Sequence, residues 1–296
     1  MKKRLKREWQ IHMMLLPGIL LVFIFSYIPL YGIIIAFQKY NPAAGFSSPW
    51  VGLDNFKFLF SQPGFVRSIW NSLYIAVFKI LGGALMSIIF SLLLNEIGNI
   101  FFKRLFQTLI YMPNFISWVI MAGVMLDLLA NDGIVNKALN AMGLDTVNFL
   151  GDSNVFPWTM IVSDIWKTFG FGTVVYLAAL TGIDQELYEA ARIDGASRLK
   201  QLRHNTLPML APTIILMLVL SLGNVLNAGF DQIYNLYVPA VYRTGDIIDT
   251  YVYRLGVEQA QYSIGAAVGL FKSIISLILI CASYILADKF AHYRIF

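Results

Sequence analysis

The sequence predicts an all-α, polytopic membrane protein with six transmembrane helices, and three observations carry that expectation. Over 296 residues, 58% are hydrophobic and only 13% are charged, which is too apolar for a water-soluble domain. Apolar stretches near 11–37, 71–95, 105–129, 157–180, 209–233 and 264–287 each suffice to cross a hydrocarbon layer of roughly 30 Å, which takes about twenty helical residues. Lipid offers no partner for an open strand edge, so segments of this length are helices.

Lys2, Lys3, Arg4, Lys6 and Arg7 precede the first stretch. That stretch is far longer than a signal-peptide core and ends without a small-x-small cleavage site, so it reads as a retained span. Residues 41–70 begin rich in Pro, Gly and Ser and then turn amphipathic, which suits a short helix along the outer interface; an aromatic belt explains the same residues. In the second span Gly82, Gly83 and Ala84 let helices approach closely, and Lys79 either snorkels or reaches a wet cavity. The third span opens on Tyr111-Met112-Pro113, a kink, and ends at Asp127. Residues 131–136 then read as a partner surface, a lid or a plain connector.

The fourth span holds Asp164, Trp166, Lys167, Gly170 and Gly172. Asp164 and Lys167 lie three residues apart on one helix face and can pair, which lowers the cost of holding them in the membrane. Trp166 and Lys167 then sit beside a translocation path, or the pair snorkels at the outer end. In the fifth span Asn224, Asn227 and Asp231 recur every three to four residues, forming one polar stripe with Phe230 and Tyr234 alongside. Amides suit sugar hydroxyls and rings suit sugar faces; polar glue between helices is the alternative.

Orientation follows from the positive charges. Thirteen Lys and Arg fall in the N-terminus, 96–104, 181–208 and the tail, against six in 38–70, 130–156 and 234–263. Positive charge stays inside, so both termini are expected in the cytoplasm. The formal charge of +5 is thus a topology signal, and no nucleic acid is expected as a partner. One cysteine, Cys281, rules out an intrachain disulfide or thiolate cluster. No Gly-x-x-x-x-Gly-Lys-Ser/Thr cradle, His-Glu-x-x-His pair or Gly-x-Ser-x-Gly elbow occurs. His12, His204 and His292 are scattered near the inner membrane edges. No catalytic constellation emerges, so the chain is not expected to be an enzyme.

A polar island interrupts this apolar chain between Tyr188 and Pro212. Glu189, Arg192, Asp194, Arg198, Lys200 and Arg203 cannot sit in hydrocarbon, where each would cost a few kcal/mol, and must face water. Asp184 suits a helix N-cap with Glu186 near the positive dipole end. That helix should run to about Ile193 and stop near Gly195, Ser197 can cap a second, and Pro208 and Pro212 mark the start of the next apolar run. Ala190, Ala191 and Gly195 give the hairpin a small face, fit for docking or for a solvated connector.

Glu189-Ala190-Ala191, then three residues to Gly195, with Leu207-Pro208 at the end, resemble the EAA signature of the membrane subunits of binding-protein-dependent ABC importers. Asn205 departs, because that family has an aliphatic residue two before Leu-Pro; the departure weakens the packing expected late in the second helix. Residues 51–56 with Phe65 and Asn71, and residues 131–136, resemble sugar-type permeases of this class, while 246–254 and 265–272 are similar to the LplB-like branch, which handles oligosaccharides or polysaccharide fragments.

The resemblance implies a type I ABC importer permease fold in the bacterial cytoplasmic membrane. Residues 1–70 would form the N-terminal segment, first span and external loop; 71–287 the permease core, with the coupling hairpin at about 185–206; and 288–296 a cytoplasmic tail. Glu189, Ala190, Ala191, Asp194 and Gly195 would couple to an ATPase, and Trp166, Lys167, Asn224, Asn227, Phe230, Asp231 and Tyr234 would line the substrate path. No metal or other cofactor is implied on this chain, with ATP and Mg on the partner ATPase. The implied partners are a second homologous permease in a heterodimer, two ABC ATPase subunits, an extracytoplasmic solute-binding protein, a carbohydrate and the lipid bilayer. An ion-gradient-driven secondary transporter would instead show paired mid-membrane carboxylates, broken helices and an inverted repeat. A membrane anchor or sensor would need no coupling hairpin.

Overall fold

The computed structural model describes residues 9–291; the basic cluster at Lys2–Arg7 and the end of the tail with His292 lie outside the described residues. The described chain is helical apart from turns and two isolated β-bridges, Gln38 with Trp50 and Asn41 with Gly45. It divides into two compact units, one of residues up to Gln62 together with Val252–Ser273, the other of Pro63–Tyr251 and residues from Ile274 on.

In the first unit, α1 (Trp9–Val22) continues through a π turn, Phe23–Tyr27, into a 3-10 stretch, Ile28–Phe37. Pro29 enters at the start of that stretch and Pro17 lies inside α1, so the irregularity has a covalent cause: each proline removes a backbone donor. A short helix, α2 (Asp54–Ser61), follows as expected. The Asn55 side chain donates to the carbonyls of Ala36 and Gln38 at 2.8 and 3.0 Å, closing the end of the first span onto α2.

The second unit is built on two long helices, α3 (Pro63–Glu96) and α7 (Phe156–Thr181). Between them run α4 (Ile100–Tyr111), a 3-10 turn Met112–Phe115, α5 (Trp118–Leu128) and α6 (Ile134–Ala141). The expected kink at Pro113 is a full break: the two halves of the third span meet at 102°. Proline fits the 3-10 turn, and Ser117 caps the second half by accepting from the Ile120 amide.

Small residues hold α3 against α7. The Ser87 hydroxyl donates to the Phe169 carbonyl at 2.9 Å, and Gly172 sits where a side chain would strike Ser87. Gly170 lies directly on the backbone carbonyl of Ile110, so α7 also grips α4. Close approach is what drives helix pairing where lipid competes for apolar surface. An apolar cluster of Leu94, Leu177, Leu180, Ile183 and Leu210 closes one end of the unit.

The remaining elements are α8 (Gln185–Ile193), α9 (Arg198–Gln201), a π turn Leu202–Thr206, α10 (Leu207–Leu222), α11 (Phe230–Leu236), α12 (Tyr242–Gly245), α13 (Ile248–Tyr253) and α14 (Tyr262–Ala291). Among the described residues, four helical runs are long and apolar enough to cross a membrane: Met13–Phe37, Pro63–Glu96, Arg198–Leu222 and Tyr262–Ile285. Counting the pair bent by 102° around Pro113 as one span brings the number to five. The sixth expected span, α7, is 26 residues long but more polar. It buries Ser163, Lys167 and Thr173 inside the unit, where protein and not lipid surrounds them.

Two boundaries differ from expectation. The second arm of the polar hairpin leads into the fifth span as one helical run, Arg198–Leu222, in which the π turn Leu202–Thr206 joins α9 to α10 and Pro208 follows directly after that turn. The fifth span also stops at Leu222 instead of reaching 233. Asn224 and Asn227 lie in the turns that follow and Asp231 on the separate α11, so the expected stripe does not exist on one helix.

Candidate functional site

The hairpin is shaped by local chemistry. The Asp184 carboxylate accepts from the Glu186 amide at 3.0 Å, capping α8. At the other end the Ala196 amide donates to the Ala191 carbonyl and the Gly195 amide to Arg192, at 2.9 and 3.0 Å. With Gly195 at φ +74° this is a Schellman ending, in which glycine is favoured because a Cβ would crowd the left-handed backbone. Ser197 occupies the N-cap position of α9 but its hydroxyl makes no capping bond.

Glu189, Ala190, Asp194 and Gly195 are exposed and Ala191 is half-buried, so the predicted coupling residues form one accessible face of α8 and its end. Ile193 and Leu199 stand beside them, 87% and 74% exposed, an apolar pair on an otherwise charged elbow.

Two ties hold the arms together. The Tyr188 hydroxyl pairs with the Thr206 hydroxyl at 3.0 Å, and the Asn205 amide donates to the Leu187 carbonyl at 3.2 Å. Asn205, expected to weaken this segment, cross-links it instead. Tyr188 also packs on the apolar cluster at the base of the unit. The exposed Arg198–Glu96 pair at 3.0 Å joins the hairpin to the end of α3, but solvent limits such pairs to about 0–1 kcal/mol.

A cavity of about 470 Å³ lies inside the second unit between α3, α7 and the end of α10. Lys79, Asn114, Asp164, Asn224, Asn227 and Gly229 are among the residues that line it. The Lys79 ammonium, in a residue 8% exposed, donates to the Ala228 carbonyl at 2.7 Å and to the Gln232 side chain, and it lies 3.5 Å from Asp164. Fully buried Gln232 completes the network, donating to the Met160 carbonyl at 2.9 Å and the Ser163 hydroxyl at 2.8 Å. Gly229 adopts φ +98°, and a Cβ there would meet the lysine nitrogen at 2.9 Å. One cation therefore fixes the break in the fifth span against both long helices.

The expected Asp164–Lys167 pair is not made. Asp164 faces Lys79, while Lys167 donates to the Asn114 carbonyl at 3.1 Å and lies over the Trp118 ring at 5.4 Å. Lys167 thus places positive charge at the broken end of the third span, where unpaired carbonyls make the helix end negative. Of the predicted path residues, Asn224 and Asn227 reach the cavity and are bonded to each other at 3.2 Å. Trp166, Lys167, Phe230, Asp231 and Tyr234 are not among its lining residues. Sequence reasoning missed Gln232, because only a fold that brings residues 79, 163 and 232 together distinguishes it from a surface amide.

Paired long helices, discontinuous spans around a cavity that carries buried charge and a capped, exposed elbow are the features of a polytopic transport subunit. The chain belongs to the family of binding-protein-dependent transport system inner membrane components, which it matches over residues 83–292, and it has the type I ABC importer permease fold.

It is 42% identical to Protein LplB of Bacillus subtilis over 97% of this chain and 91% of that protein. It is 39% identical to the polygalacturonan/rhamnogalacturonan transport system permease protein YteP of the same organism, covering 99% and 92%. A crystal structure of a bacterial alginate ABC transporter, in complex with an alginate pentasaccharide-bound periplasmic protein, contains a chain that superposes with a TM-score of 0.89. That chain is 39% identical, with 98% of this chain and 97% of that one covered.

Proposed function

We propose that this chain forms half of the translocation pathway of an ATP-driven importer of oligosaccharides or polysaccharide fragments, with both termini and the hairpin in the cytoplasm. The carbohydrate reading is supported by relatives whose names specify polygalacturonan, rhamnogalacturonan and alginate, and by a mainly apolar cavity whose wall carries the amides of Asn114, Asn224 and Asn227, suited to hydroxyl groups. The orientation is supported by the excess of Lys and Arg on the hairpin side.

In this reading the other half is a second, homologous permease. Two ATPase subunits hold ATP and Mg, and a solute-binding protein delivers the glycan from outside. Glu189, Ala190, Ala191, Asp194 and Gly195 engage the ATPase, while Asn224 and Asn227 face the substrate. Trp166, Lys167, Phe230, Asp231 and Tyr234 belong to the path beyond the cavity wall.

The observation that carries the coupling role is the hairpin itself: a capped, glycine-ended elbow whose small face is open and whose second arm is continuous with a span. Reconstituting the chain with candidate permease, ATPase and binding-protein partners tests it. Sugar-dependent ATP turnover is the expected result; turnover indifferent to every sugar tried, with all subunits assembled, counts against it.

A further inference from the structure

Following Gly229 in the chain, itself part of the cavity wall, four aromatic rings succeed one another without a gap. Phe230 stacks on Tyr234 with centroids 5.2 Å apart and planes 18° from parallel. Tyr234 meets Tyr237 at 6.0 Å, and Tyr237 meets Tyr242 at 4.9 Å. All four side chains are half-buried, neither sunk in the core nor free in solvent. Between Tyr237 and Tyr242 the chain leaves α11 and passes through a 3-10 turn, Pro239–Val241, before α12. The ring sequence therefore survives a change of backbone conformation, which helical periodicity alone would not produce.

We propose that Phe230, Tyr234, Tyr237 and Tyr242 form a carbohydrate-binding track that leads a glycan chain to the cavity, with Tyr237 and Tyr242 as its outer subsites. This rests on the carbohydrate reading given above. A pyranose presents C–H groups on its faces and hydroxyls around its rim. An aromatic face is negative and attracts those C–H groups, while a tyrosine hydroxyl at the ring edge exchanges hydrogen bonds with the rim.

Successive ring centroids lie 4.9 to 6.0 Å apart, about the length of one sugar residue, so a chain running along the side that the file of rings leaves open meets a new ring at each unit. Such contacts are individually weak and repeated, which permits movement where a single tight site would trap the chain. Phe230, the first ring of the track, is next in sequence to Gly229, which lines the cavity together with Asn224 and Asn227. An aromatic belt at the membrane surface would also use tyrosine, but would not need an unbroken file ending at a polar cavity.

The test uses the full complex in proteoliposomes, supplied with length-graded oligosaccharides released from pectin and from alginate, and reads vesicle contents by mass spectrometry. Tyr237→Leu with Tyr242→Leu should lower uptake of tetramers and longer chains about five- to tenfold at sub-saturating sugar, with maximal ATP turnover unchanged. Tyr237→Phe with Tyr242→Phe should restore most of that loss. Equal uptake by the leucine pair and the wild type overturns the track alone. No uptake of any oligosaccharide by wild-type vesicles overturns the carbohydrate reading and the track with it. Should the leucine pair fail to assemble, Tyr242→Cys in a Cys281→Ser background decides: bound oligosaccharide should slow maleimide labelling several-fold, and an unchanged rate refutes the proposal.

Discussion

The Lys79 ammonium donates to the Ala228 carbonyl at 2.7 Å across 149 residues of sequence. This one bond, together with those to Gln232 and the charge of Asp164, anchors the interruption of the fifth span to the α3–α7 pair. Removing the lysine leaves the Ala228 carbonyl and the Gln232 amide oxygen buried without their donor, and half-buried Asp164 without its positive neighbour. Lys79→Met is expected to cost about 3 kcal/mol, within the range for breaking one side of a buried pair. Asp164→Asn should cost less, because a neutral acceptor remains. Thermal unfolding of the purified assembly checks the ranking, and equal melting of both variants with the wild type refutes it.

At the elbow, Glu189→Lys and Gly195→Leu should abolish substrate-stimulated ATP hydrolysis while part of the assembly still forms. Gly195→Ala should be milder, since a left-handed L-residue costs roughly 1–2 kcal/mol and the space around Gly195 is open. Subunit co-purification separates the outcomes: normal stimulation in the first two variants would mean that the elbow does not couple.

Asn205→Leu restores the aliphatic residue that the family carries there, yet it deletes the bond to the Leu187 carbonyl. A loss of about 1 kcal/mol is expected, the usual worth of one hydrogen bond. Tyr188→Phe should lose a similar amount through Thr206. Hydrogen exchange across residues 185–206 reads this directly, as faster exchange in both variants.

Gly170→Ala should be among the most damaging small substitutions. Its methyl group would fall on the Ile110 carbonyl, a backbone atom that can move only with α4. Overpacking of this kind costs about 1–3 kcal/mol. The yield of monodisperse protein from membranes is the measure, and an unchanged yield would show that α4 yields freely.

Topology is tested by single cysteines in a Cys281→Ser background. Ser197→Cys should react with an impermeant maleimide only from the cytoplasmic side, and Asn140→Cys only from outside. Both positions are exposed. The reverse pattern would invert the orientation.

The sequence carried the fold class and the hairpin because both depend on local rules. A run of apolar residues specifies a span wherever it packs, and Asp184 and Gly195 act within a turn or two of their own positions. The breaks were less legible. Asn224, Asn227 and Asp231 are spaced as on one helix, and nothing local reveals that the chain turns at 223–229. That turn is held by Lys79, far away in sequence. Likewise Asp164 and Lys167 fit a local pair on spacing, but the fold offers each a better partner in another helix. Asn205 was misread for the same reason, since its acceptor lies on the opposite arm.

The unbroken run from Arg198 to Leu222 has a mechanical meaning. Twenty-five helical residues extend for about 37 Å, so a shove at the charged elbow finds no slack loop to absorb it. The displacement passes the π turn Leu202–Thr206 and Pro212 and arrives at the turn beside Asn224 and Asn227. A rod of this kind ties the position of the elbow to the wall of the cavity.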